Sequence, residues 1–528
     1  NMDEGEPYRI SDIRLAGNMV VPEEQLSRLV VVKPGETFSR RQLTQSAELI
    51  TFRLGEEGFA FARVDPVPEI SDDGQSVAVT FFIDPGKRAY VRRIHFAGTT
   101  GINDEVLRRE MRQMEGGYLS NRALERSEQR IRRLPFVEEV KKETIPVVDS
   151  DDLVDIEMSI KEGLPGSFGG GIGYSGLQGV LLNANFVHTN FLGTGNRIEA
   201  DINTGRFSTV YSFLHTDPYV TPDGVARTVS AGYRDVTQFV SGASEFSAKT
   251  ASLGLEYSYP ISEFTRLRFG MQLLDTRLLT NEFSPLQSSR WVLLNGDSQV
   301  FDVAGSTLVE SQFQSYELLL GWVYDSRNRV LFANRGGRHR VSLNYTVPGS
   351  DVEYYVATYE LLRYFPFIGP TFFEWNAGIS YADAVGDTTE IPPFKRFFGG
   401  GPGTVRGYRE GWLGPRDTNN NPYGGNVRAS SQLELVLPSP EAVASTTRFS
   451  LFVDAGNIFS SDTTPFFDPE TGEPQNFEFS ASDLRYSAGF SAQWLAPLGL
   501  FKFSYGFPLN SESGYRLERF QFSIGSAF

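Results

Sequence analysis

An alternation of apolar and polar residues with period two runs through the C-terminal two-thirds of this 528-residue sequence. In one segment Phe449, Leu451 and Val453 share one parity, whereas Ser450 and Asp454 take the other. A strand points successive side chains to opposite faces, so this alternation predicts strands with one apolar and one polar face. Many of the segments approach the ~10 residues of a tilted strand that crosses a bilayer, whereas strands in soluble sandwiches usually have ~5–6. The clearest segments are 427–437, 449–455 and 485–494.

The composition favours many strands and argues against membrane-spanning helices. No window approaches the roughly 18 consecutive apolar residues that such a helix needs. The sequence contains 52 Gly, 42 Phe and 22 Tyr, and only 22% of its residues are charged. This combination favours aromatic strand surfaces joined by glycine-rich turns.

Several kinds of chemistry are disfavoured by the residues that the sequence lacks. It has no cysteine, and its four histidines (His95, His188, His215 and His339) lack the i, i+4 spacing of a zinc-binding helix. The net charge of −16 argues against nucleic acid as a partner. Gly171-Ile172-Gly173-Tyr174-Ser175-Gly176 matches the spaced glycines of a dinucleotide fingerprint, but no helix pattern follows it. We therefore expect a protein that is not an enzyme and that binds no metal, cofactor, nucleotide or nucleic acid.

The first 165 residues contain two tandem copies of one small domain. A spacing of 81 residues links Gly17 to Gly98, Leu43 to Leu124 and Ile50 to Ile131. Each copy shows the order β-α-α-β-β. In the first copy Leu26, Leu29 and Val30 form a helix stripe, Ser39 is placed to cap a second helix, and Gly58 lies just beyond the end of that helix. The predicted domains are 1–87 and 88–165.

Residues 166–528 are predicted to form a closed barrel of sixteen antiparallel strands. Backbone groups in lipid must pair internally, so the sheet has to join its first strand to its last. Short connections alternate with three long polar ones, which we expect to be loops: 280–312, 384–426 and 457–483.

The predicted seam of the barrel is weakened by glycine in its first strand, 167–176, because glycine raises the entropy cost of a fixed strand and packs no side chain. The alternative is that these glycines have only a structural role, because they allow neighbouring chains to approach closely or the barrel wall to curve. The residues that we assign to the seam are Gly169, Gly170, Gly171 and Gly173 in the first strand and Phe520, Phe522, Ile524 and Phe528 in the last.

Several short motifs follow one another along the sequence. They are Asn190-Phe191-Leu192-Gly193-Thr194-Gly195-Asn196, Pro348-Gly349-Ser350-Asp351, Phe398-Gly399-Gly400, Val405-Arg406-Gly407-Tyr408 and Asp454-Ala455-Gly456. With the tandem repeats and the sixteen-strand pattern, they make the sequence resemble the BamA-type outer-membrane assembly proteins, whose repeats are called POTRA domains. The resemblance covers essentially the whole chain. The implied fold is two α+β POTRA domains followed by a 16-stranded antiparallel transmembrane β-barrel. The family usually carries five such domains, so we expect an N-terminally trimmed form that keeps the two nearest the barrel.

The long connection 384–426 carries Arg406, and two acidic residues take the polar parity of the strands that follow, Glu434 and Asp454. The residues alone leave open whether these are three separately solvated charges or one cluster. The resemblance implies that the loop folds into the lumen and that Arg406 contacts both acids. The expected tether comprises Val405, Arg406, Gly407, Tyr408, Glu434 and Asp454.

The repeats suggest how partners bind. An unfolded outer-membrane polypeptide could add to an exposed sheet edge as an extra strand. Arg122, Arg126, Arg130 and Arg133 lie on or near one helix of the second repeat. Such a run is usually a solvated face, but it could also dock a partner. The resemblance implies an accessory lipoprotein of the assembly complex at this domain, and outer-membrane lipids around the barrel.

The resemblance implies that the chain folds and inserts β-barrel proteins into the outer membrane of a Gram-negative bacterium, with its POTRA domains in the periplasm. Client strands would pair at the lateral seam between the first and last barrel strands. Two alternatives remain. A two-partner secretion transporter combines the same parts, but usually has a plug helix before the first repeat, where only seven residues precede Tyr8 here. A passive porin would lack both the repeats and the loop motif.

Overall fold

The structure is a computed structural model. It describes residues 8–71, 75–148, 150–175, 179–237, 246–303, 306–329, 332–440, 443, 446–462, 466–467, 474–496, 499–511 and 515–525. The chain divides into two compact units. One contains Asn1–Pro165 and Thr189–Gly195, and the other contains Gly166–His188 and Asn196–Phe528.

The first repeat is a three-stranded mixed sheet covered by two helices. Its central strand β3 is parallel to β1 and antiparallel to β2. The sheet and helices enclose an apolar core that includes Leu26, Ile50, Val79 and Phe81. The elements are β1 Arg9–Gly17, α1 Glu23–Ser27, α2 Arg40–Glu56, β2 Arg63–Ile70 and β3 Ser76–Asp84.

The second repeat has the same order and the same topology. Its central strand β6 is parallel to β4 and antiparallel to β5. The predicted β-α-α-β-β order is therefore confirmed in both copies. The elements are β4 Tyr90–Ala97, α3 Asp104–Arg108, α4 Asn121–Arg132, β5 Val137–Pro146 and β6 Leu153–Glu162.

Capping residues and glycines mark where the helices begin and end, with one exception. The Ser39 hydroxyl accepts a hydrogen bond from the Gln42 N–H at the start of α2, and Gly58, at φ +95°, follows its end. The prediction that Leu29 and Val30 belong to the first helix is wrong. The helix α1 ends at Ser27, and the N–H groups of Leu29 and Val30 donate to carbonyls three residues earlier, so the chain leaves the helix through a turn.

The second unit is built from sixteen wall strands in a closed antiparallel barrel, which confirms the predicted strand number. Consecutive wall strands are neighbours, and β27 closes the ring onto β7. The wall strands are β7 Gly166–Ser175, β8 Gly179–Phe191, β9 Asn196–Thr204, β10 Ser208–Asp217, β11 Ala226–Thr237, β12 Ser247–Pro260, β13 Thr265–Asn281, β15 Ser306–Asp325, β16 Gly336–Thr346, β17 Tyr354–Pro366, β18 Phe372–Ala384, β20 Val427–Leu437, β21 Thr447–Phe459, β24 Arg485–Ala496, β25 Gly499–Pro508 and β27 Phe520–Gly525.

The remaining elements of this unit lie in the connections. They are α5 Leu286–Leu294, β14 Asp297–Val303, the 3-10 turn Pro393–Lys395, β19 Gly407–Tyr408, β22 Phe466–Phe467, β23 Pro474–Gln475, the 3-10 turn Ala481–Asp483 and β26 Leu517–Glu518. The predicted loop 280–312 is wrong in extent, because it contains α5 and β14, and β15 begins at Ser306. The strand β14 pairs with residues 306–312 of β15, a segment too rich in polar side chains to show the apolar alternation of a lipid-facing strand.

The two faces of the barrel wall differ as the alternation predicts. Leu451, Val453 and Trp494 are exposed on the outer face. Ser450 and Asp454, on the opposite parity, are buried inside. No helix in the described part of the chain is long and apolar enough to cross a membrane.

Candidate functional site

The connection between β18 and β20 folds into the barrel and places Arg406 between two carboxylates. The Arg406 Nε and Nη2 atoms donate to the two carboxylate oxygens of Asp454, at 2.7 and 2.6 Å. Its Nη1 donates to Glu434 Oε1 at 2.5 Å, and its backbone N–H donates to Asp454 Oδ2 at 3.0 Å. Arg406 is 4% exposed and Asp454 is fully buried. The pair is therefore bidentate and shielded from water, an arrangement in which guanidinium geometry matters more than charge alone.

The surroundings of Arg406 satisfy the remaining oxygens and cover the guanidinium. Glu434 Oε2 accepts from the Ser450 hydroxyl at 2.5 Å, and Ser450 is bonded in turn to Ser491. The guanidinium carbon lies 3.5 Å from the centre of the Phe452 ring, within the range of a cation–π contact. Adjacent strands β20, β21 and β24 thus supply every one of these groups.

The residues after Arg406 are bonded to the last strand of the barrel. Gln521 on β27 donates from Nε2 to the Tyr408 carbonyl at 2.6 Å, and its Oε1 accepts from the Gly407 N–H at 3.4 Å. Gly407 and Tyr408 also form the short strand β19, which pairs with β26 just before β27. The loop is therefore fastened to the strand that closes the barrel.

The loop backbone passes close to the wall because glycines line its path. A Cβ on Gly506 would lie 2.8 Å from the Gly407 nitrogen, and one on Gly456 would lie 3.2 Å from a methyl carbon of Val405. Gly407 itself has φ +87°, a conformation that favours glycine. Val405 and Tyr408 are both fully buried, and with Leu413 they form a small apolar cluster.

Two further cations of the same connection pair with buried carboxylates. Lys395 Nζ lies 2.8 Å from Glu317 Oε1, which also accepts from the Tyr354 hydroxyl at 2.5 Å. Arg396 pairs with Glu390 at 3.2 Å and with Asp462. The loop thus has three cationic anchors, of which the sequence interpretation named only Arg406. The adjacent Lys395 and Arg396, two charges in a segment otherwise rich in apolar residues, are the signal that it missed.

The seam joins β7 to β27. Within the described residues the register of this pairing contains Tyr174 opposite Ile524. On its other side, β7 pairs with β8 from Gly166 to Ser175 without a break. Phe528, which we assigned to the seam, lies outside the described residues.

Small residues and aromatic rings characterise the two sides of the seam. A Cβ on Gly169 or Gly171 would lie 2.2 or 2.4 Å from the side-chain oxygen of Asn185 or Asn183, so these glycines leave room for asparagine side chains of β8. The outer face holds a row of rings, in which Phe522 stacks 5.0 Å from Phe503 and 6.4 Å from Tyr174. Phe520 is exposed. Gly170 and Gly173 lie in the same strand, β7.

The four arginines of the second repeat do not form one free surface. Arg122 pairs with Glu56 of the first repeat at 2.5 Å, and Arg130 pairs with the buried Glu110 at 2.7 Å. Arg126 and Arg133 are exposed. Docking of a partner on this helix stays a prediction, and Arg126 and Arg133 are the two exposed arginines outside these ion pairs.

Comparison with known proteins identifies the family. The family model of the Omp85 superfamily domain matches residues 190–528, and the POTRA model, described as surface antigen variable number repeat, matches residues 8–86 and 89–163. The sequence is 31% identical to the outer membrane protein assembly factor BamA of Neisseria meningitidis serogroup B, over 99% of this chain and 67% of that protein. The chain belongs to the Omp85 superfamily and is a BamA-type protein.

Other BamA proteins support this assignment. The assembly factor BamA of Nitratidesulfovibrio vulgaris is 24% identical over 99% of this chain and 63% of that protein, so the chain spans about two thirds of the length of both relatives. The crystal structure of BamA from Haemophilus ducreyi lacking POTRA domains 1-3 has a TM-score of 0.81 and 29% identity, and covers 98% of this chain and 100% of that chain. CdiB from Acinetobacter baumannii, at 12% identity and a TM-score of 0.53 over 99% of this chain and 91% of that one, shares the fold.

Proposed function

We propose that this chain is the central subunit of a machinery that folds and inserts β-barrel proteins into the outer membrane of a Gram-negative bacterium, with its POTRA domains in the periplasm. The observation that carries the proposal is the match along almost the whole chain to proteins named outer membrane protein assembly factor BamA. The activity needs no bond-making chemistry and no cofactor, because the client gains only hydrogen bonds and buried surface.

The seam is the proposed route by which a client enters the membrane. Each ladder hydrogen bond contributes roughly 1 kcal/mol net in water, and unpaired groups cost more in hydrocarbon. Glycine-rich β7 packs few side chains against its neighbours, so the seam is a less costly place to open the ring. A client strand pairing with β7 would replace the bonds that β27 gives up.

The docked loop supports this route from inside the barrel. Arg406 fastens the loop to β20 and β21, while Gln521 and β26 fasten it to the closing strand. We propose that these bonds keep β27 attached to the loop when the seam opens. The strand can then shift without being released into the lumen.

Partners of the repeats are also part of the proposal. Unfolded barrel polypeptides would bind to the POTRA domains before they reach the seam, an accessory lipoprotein would bind the second domain, and outer-membrane lipids would surround the barrel. The exposed Arg126 and Arg133 are the part of the arginine set that remains available for an acidic partner surface.

A disulfide across the seam tests the route. The chain has no cysteine, and Tyr174 and Ile524 face each other in the register, so Tyr174→Cys with Ile524→Cys would place one bridge without competing thiols. Reconstituted in liposomes with a urea-unfolded barrel client, the oxidised variant should lose its folding activity and recover it on reduction. The matched control is Ile172→Cys with Leu182→Cys, which bridges β7 to β8 and leaves the seam free.

The outcomes separate the candidate functions. Undiminished folding by the bridged protein would reject the seam route while leaving the assembly function. No folding above empty liposomes by the unmodified chain would reject the function itself. Export of an unfolded passenger into the liposomes would favour the two-partner secretion transporter, and a large, steady conductance would favour a porin.

A further inference from the structure

Arg363 is a cation on the outer face of the barrel wall. It lies on β17 and shares the parity of Tyr359 and Phe365, which are both exposed. A Cβ on Gly337, its partner on β16, would lie 2.9 Å from Arg363 Cδ, so the stem of the arginine crosses the bare backbone of this glycine. The guanidinium carbon lies 5.9 Å from the centre of the Phe365 ring, near the end of β17. The side chain thus carries its charge toward the rim of the barrel, as long cationic side chains do at the edge of a membrane.

This rim is the one at which β7 begins. Wall strands alternate in direction, so β15 ends, β16 begins and β17 ends at the same rim as Gly166, the first residue of β7. The second repeat directly precedes Gly166 in the chain, and the proposed function places that repeat in the periplasm. On that proposal the rim lies at the periplasmic leaflet of the outer membrane, which consists of glycerophospholipids.

His339 places a second polar group on the same face, farther from the rim. It is paired with Tyr324 of β15 and with Leu361 of β17. Its Nδ1 lies 2.9 Å from the Tyr359 hydroxyl, and its ring centre lies 6.2 and 6.0 Å from those of Trp322 and Tyr324. When Tyr359 donates to Nδ1, the neutral imidazole carries its proton on Nε2. Among the described residues nothing accepts that proton, so His339 offers a hydrogen-bond donor to the lipid side.

No acidic residue takes an outward position near Arg363 in the described part of β16 and β17. The outward residues nearest the rim on these strands are Gly337, His339, Leu361, Arg363 and Phe365. Among the described residues Arg363 also has neither an ion pair nor a hydrogen-bond partner. An unpaired guanidinium at the edge of hydrocarbon is costly, so this face favours an anionic partner that comes with the membrane.

A second place on the outer face has the same arrangement with one difference. Arg227 of β11 and His215 of β10 both have outward parity, and the arginine again lies nearer the same rim. Asp217 lies opposite Arg227 in the register, and its carboxylate is 3.9 Å from the guanidinium. Gly337 holds the equivalent position opposite Arg363. The carboxylate supplies a negative charge to one arginine, whereas the glycine leaves the other open to an anion from outside the chain.

We propose that β16 and β17 bind one glycerophospholipid with a net negative headgroup, such as phosphatidylglycerol, on their outer face. Its phosphate would pair with Arg363, and an ester carbonyl would accept from Nε2 of His339. In such a lipid the esters lie deeper in the membrane than the phosphate, which matches the order of the two side chains from the rim. The acyl chains would lie against the exposed Leu320 and Val341.

Charge at the rim selects the headgroup. The connection 326–335 contains three arginines and no acidic residue. Arg327 pairs with Asp325 at 2.8 Å, whereas Arg329 and Arg335 are exposed. Basic residues next to a membrane attract anionic lipids, and they repel the ammonium of a zwitterionic headgroup. The assignment rests on the proposed function for the identity of the leaflet, because the rim faces glycerophospholipids only if the repeats are periplasmic.

Fluorescence quenching by spin-labelled lipids tests the assignment on the full chain in liposomes. The chain has no cysteine, so Leu361→Cys gives one site for a dansyl fluorophore beside His339. The liposomes contain phosphatidylglycerol as the minor lipid and phosphatidylethanolamine as the major one, and a nitroxide is attached to the acyl chain of one or the other. We expect phosphatidylglycerol at position 361 to exceed its bulk share about fivefold, the effect of one arginine on an anionic lipid.

The matched control carries the fluorophore at Val229→Cys, because Val229 is paired with His215 as Leu361 is paired with His339. Asp217 faces the arginine there, so we expect phosphatidylglycerol near its bulk share. Asp217→Asn keeps the shape of the side chain and removes its charge, and should raise the share of phosphatidylglycerol at position 229.

Variants of the two polar residues separate the phosphate contact from the ester contact. Arg363→Gln should return phosphatidylglycerol at position 361 to its bulk share, whereas Arg227→Gln should leave the enrichment at that position unchanged. His339→Phe keeps an aromatic ring and removes Nε2, and both lipids have esters. It should therefore keep the headgroup preference and reduce the phosphatidylglycerol that stays bound when native mass spectrometry releases the chain from detergent micelles.

Equal enrichment at positions 361 and 229, or an enrichment at position 361 that survives Arg363→Gln, would overturn the assignment. Loss of the enrichment on addition of inorganic phosphate at constant ionic strength would identify a site for free phosphate and also overturn it. Retention that His339→Phe leaves unchanged would overturn the ester contact, and a bulk share at position 229 in Asp217→Asn would overturn the role of the carboxylate. The liposome folding assay is independent: absence of client folding with the lipid enrichment intact would reject the proposed function and keep the site.

Discussion

Ion pairs with buried carboxylates hold the loop between β18 and β20 inside the barrel. Arg406 meets Asp454 through two parallel bonds, and Lys395 and Arg396 of the same loop pair with further buried carboxylates. Such pairs lose much of their Coulomb energy to desolvation, so their main effect is to specify one arrangement. A buried charge without its partner is strongly destabilising, and this asymmetry makes single substitutions informative.

Arg406→Ala should release the loop, because it leaves the buried Asp454 carboxylate without its partner at a cost of about 3–5 kcal/mol. We expect faster proteolysis within residues 398–424 and reduced folding of a client in liposomes. Arg406→Lys should restore only part of the protection, since an ammonium cannot form both bonds to Asp454.

The control for this change is Arg409→Ala in the same loop, where the guanidinium lies 5.4 Å from the Trp412 ring. It should leave the proteolysis rate close to that of the unmodified protein. A proteolysis rate in Arg406→Ala equal to that of Arg409→Ala would show that the ion pair does not hold the loop.

One buried serine in each repeat joins the second helix to the turn that follows the first helix. The Ser127 hydroxyl of α4 accepts from the Arg112 and Gln113 N–H groups at 2.7 and 3.2 Å and donates to the Ala123 carbonyl. Ser46 of α2, 81 residues earlier, accepts from the Val31 N–H in the same way. The serine satisfies backbone donors in the turn that follows the short first helix, where the chain has no regular partner for them.

Ser127→Ala should therefore destabilise the second repeat by about 1–3 kcal/mol, because the substitution leaves buried N–H groups unpaired. The urea midpoint of the repeats, measured by circular dichroism in the full chain while the barrel stays folded, checks this. Ser120→Ala removes only a cap hydrogen bond to the Ala123 N–H and should cost about 1 kcal/mol. A smaller effect for Ser127→Ala than for Ser120→Ala would contradict the role of the buried hydroxyl.

The strand β4 is also held by an ionised side chain, which makes its stability depend on pH. Glu115 accepts from the Ile94 N–H at 2.8 Å, and this bond, together with the nearby Arg108, holds the pKa of the carboxyl below its ordinary value of 4.5. A lowered pKa in the folded state stabilises the fold above the pKa of the unfolded chain, and this contribution is lost as the pH falls through the lowered value.

Glu115→Gln should accordingly lower the urea midpoint of the repeats at pH 7, since it keeps the side-chain shape and removes the charge. The difference from the unmodified chain should shrink below pH 4.5 and vanish once the carboxyl is protonated. The urea midpoints of the unmodified chain and of Glu115→Gln, both measured from pH 3 to pH 7, give this difference at each pH. A difference that is constant over this range would assign the effect to the shape of the side chain.

The closed ring of sixteen strands depends on how its two ends meet. Ile524 of β27 pairs with Tyr174 of β7, and the Phe522 ring packs across this junction on the outer face by stacking on Phe503 and Tyr174. Aromatic pairs contribute about 0.5–1.5 kcal/mol each beyond the area that they bury. Each ring contact is thus comparable in energy to one net hydrogen bond.

Phe522→Ala should loosen this junction without unfolding the barrel. Spin labels on cysteines at positions 172 and 520, both exposed at the seam, report its width, and their distance distribution should broaden and shift to longer values. The control is Phe490→Ala on β24, which removes an exposed ring stacked 5.7 Å from Tyr505 away from the seam. An unchanged distribution in Phe522→Ala would mean that the backbone alone closes the ring.

Local patterns were enough to predict the strands of the barrel, the order of elements in both repeats and the caps of α2, because side-chain parity and capping depend on residues a few positions apart. The resemblance of motifs added the contact of Arg406 with Glu434 and Asp454. The bonds of Gln521 to Gly407 and Tyr408, the pairing of Lys395 with Glu317 and the fit of Gly506 under the loop join residues far apart in the chain. Such contacts leave no periodic pattern in the sequence, because they form only when the closed barrel brings distant strands around one loop.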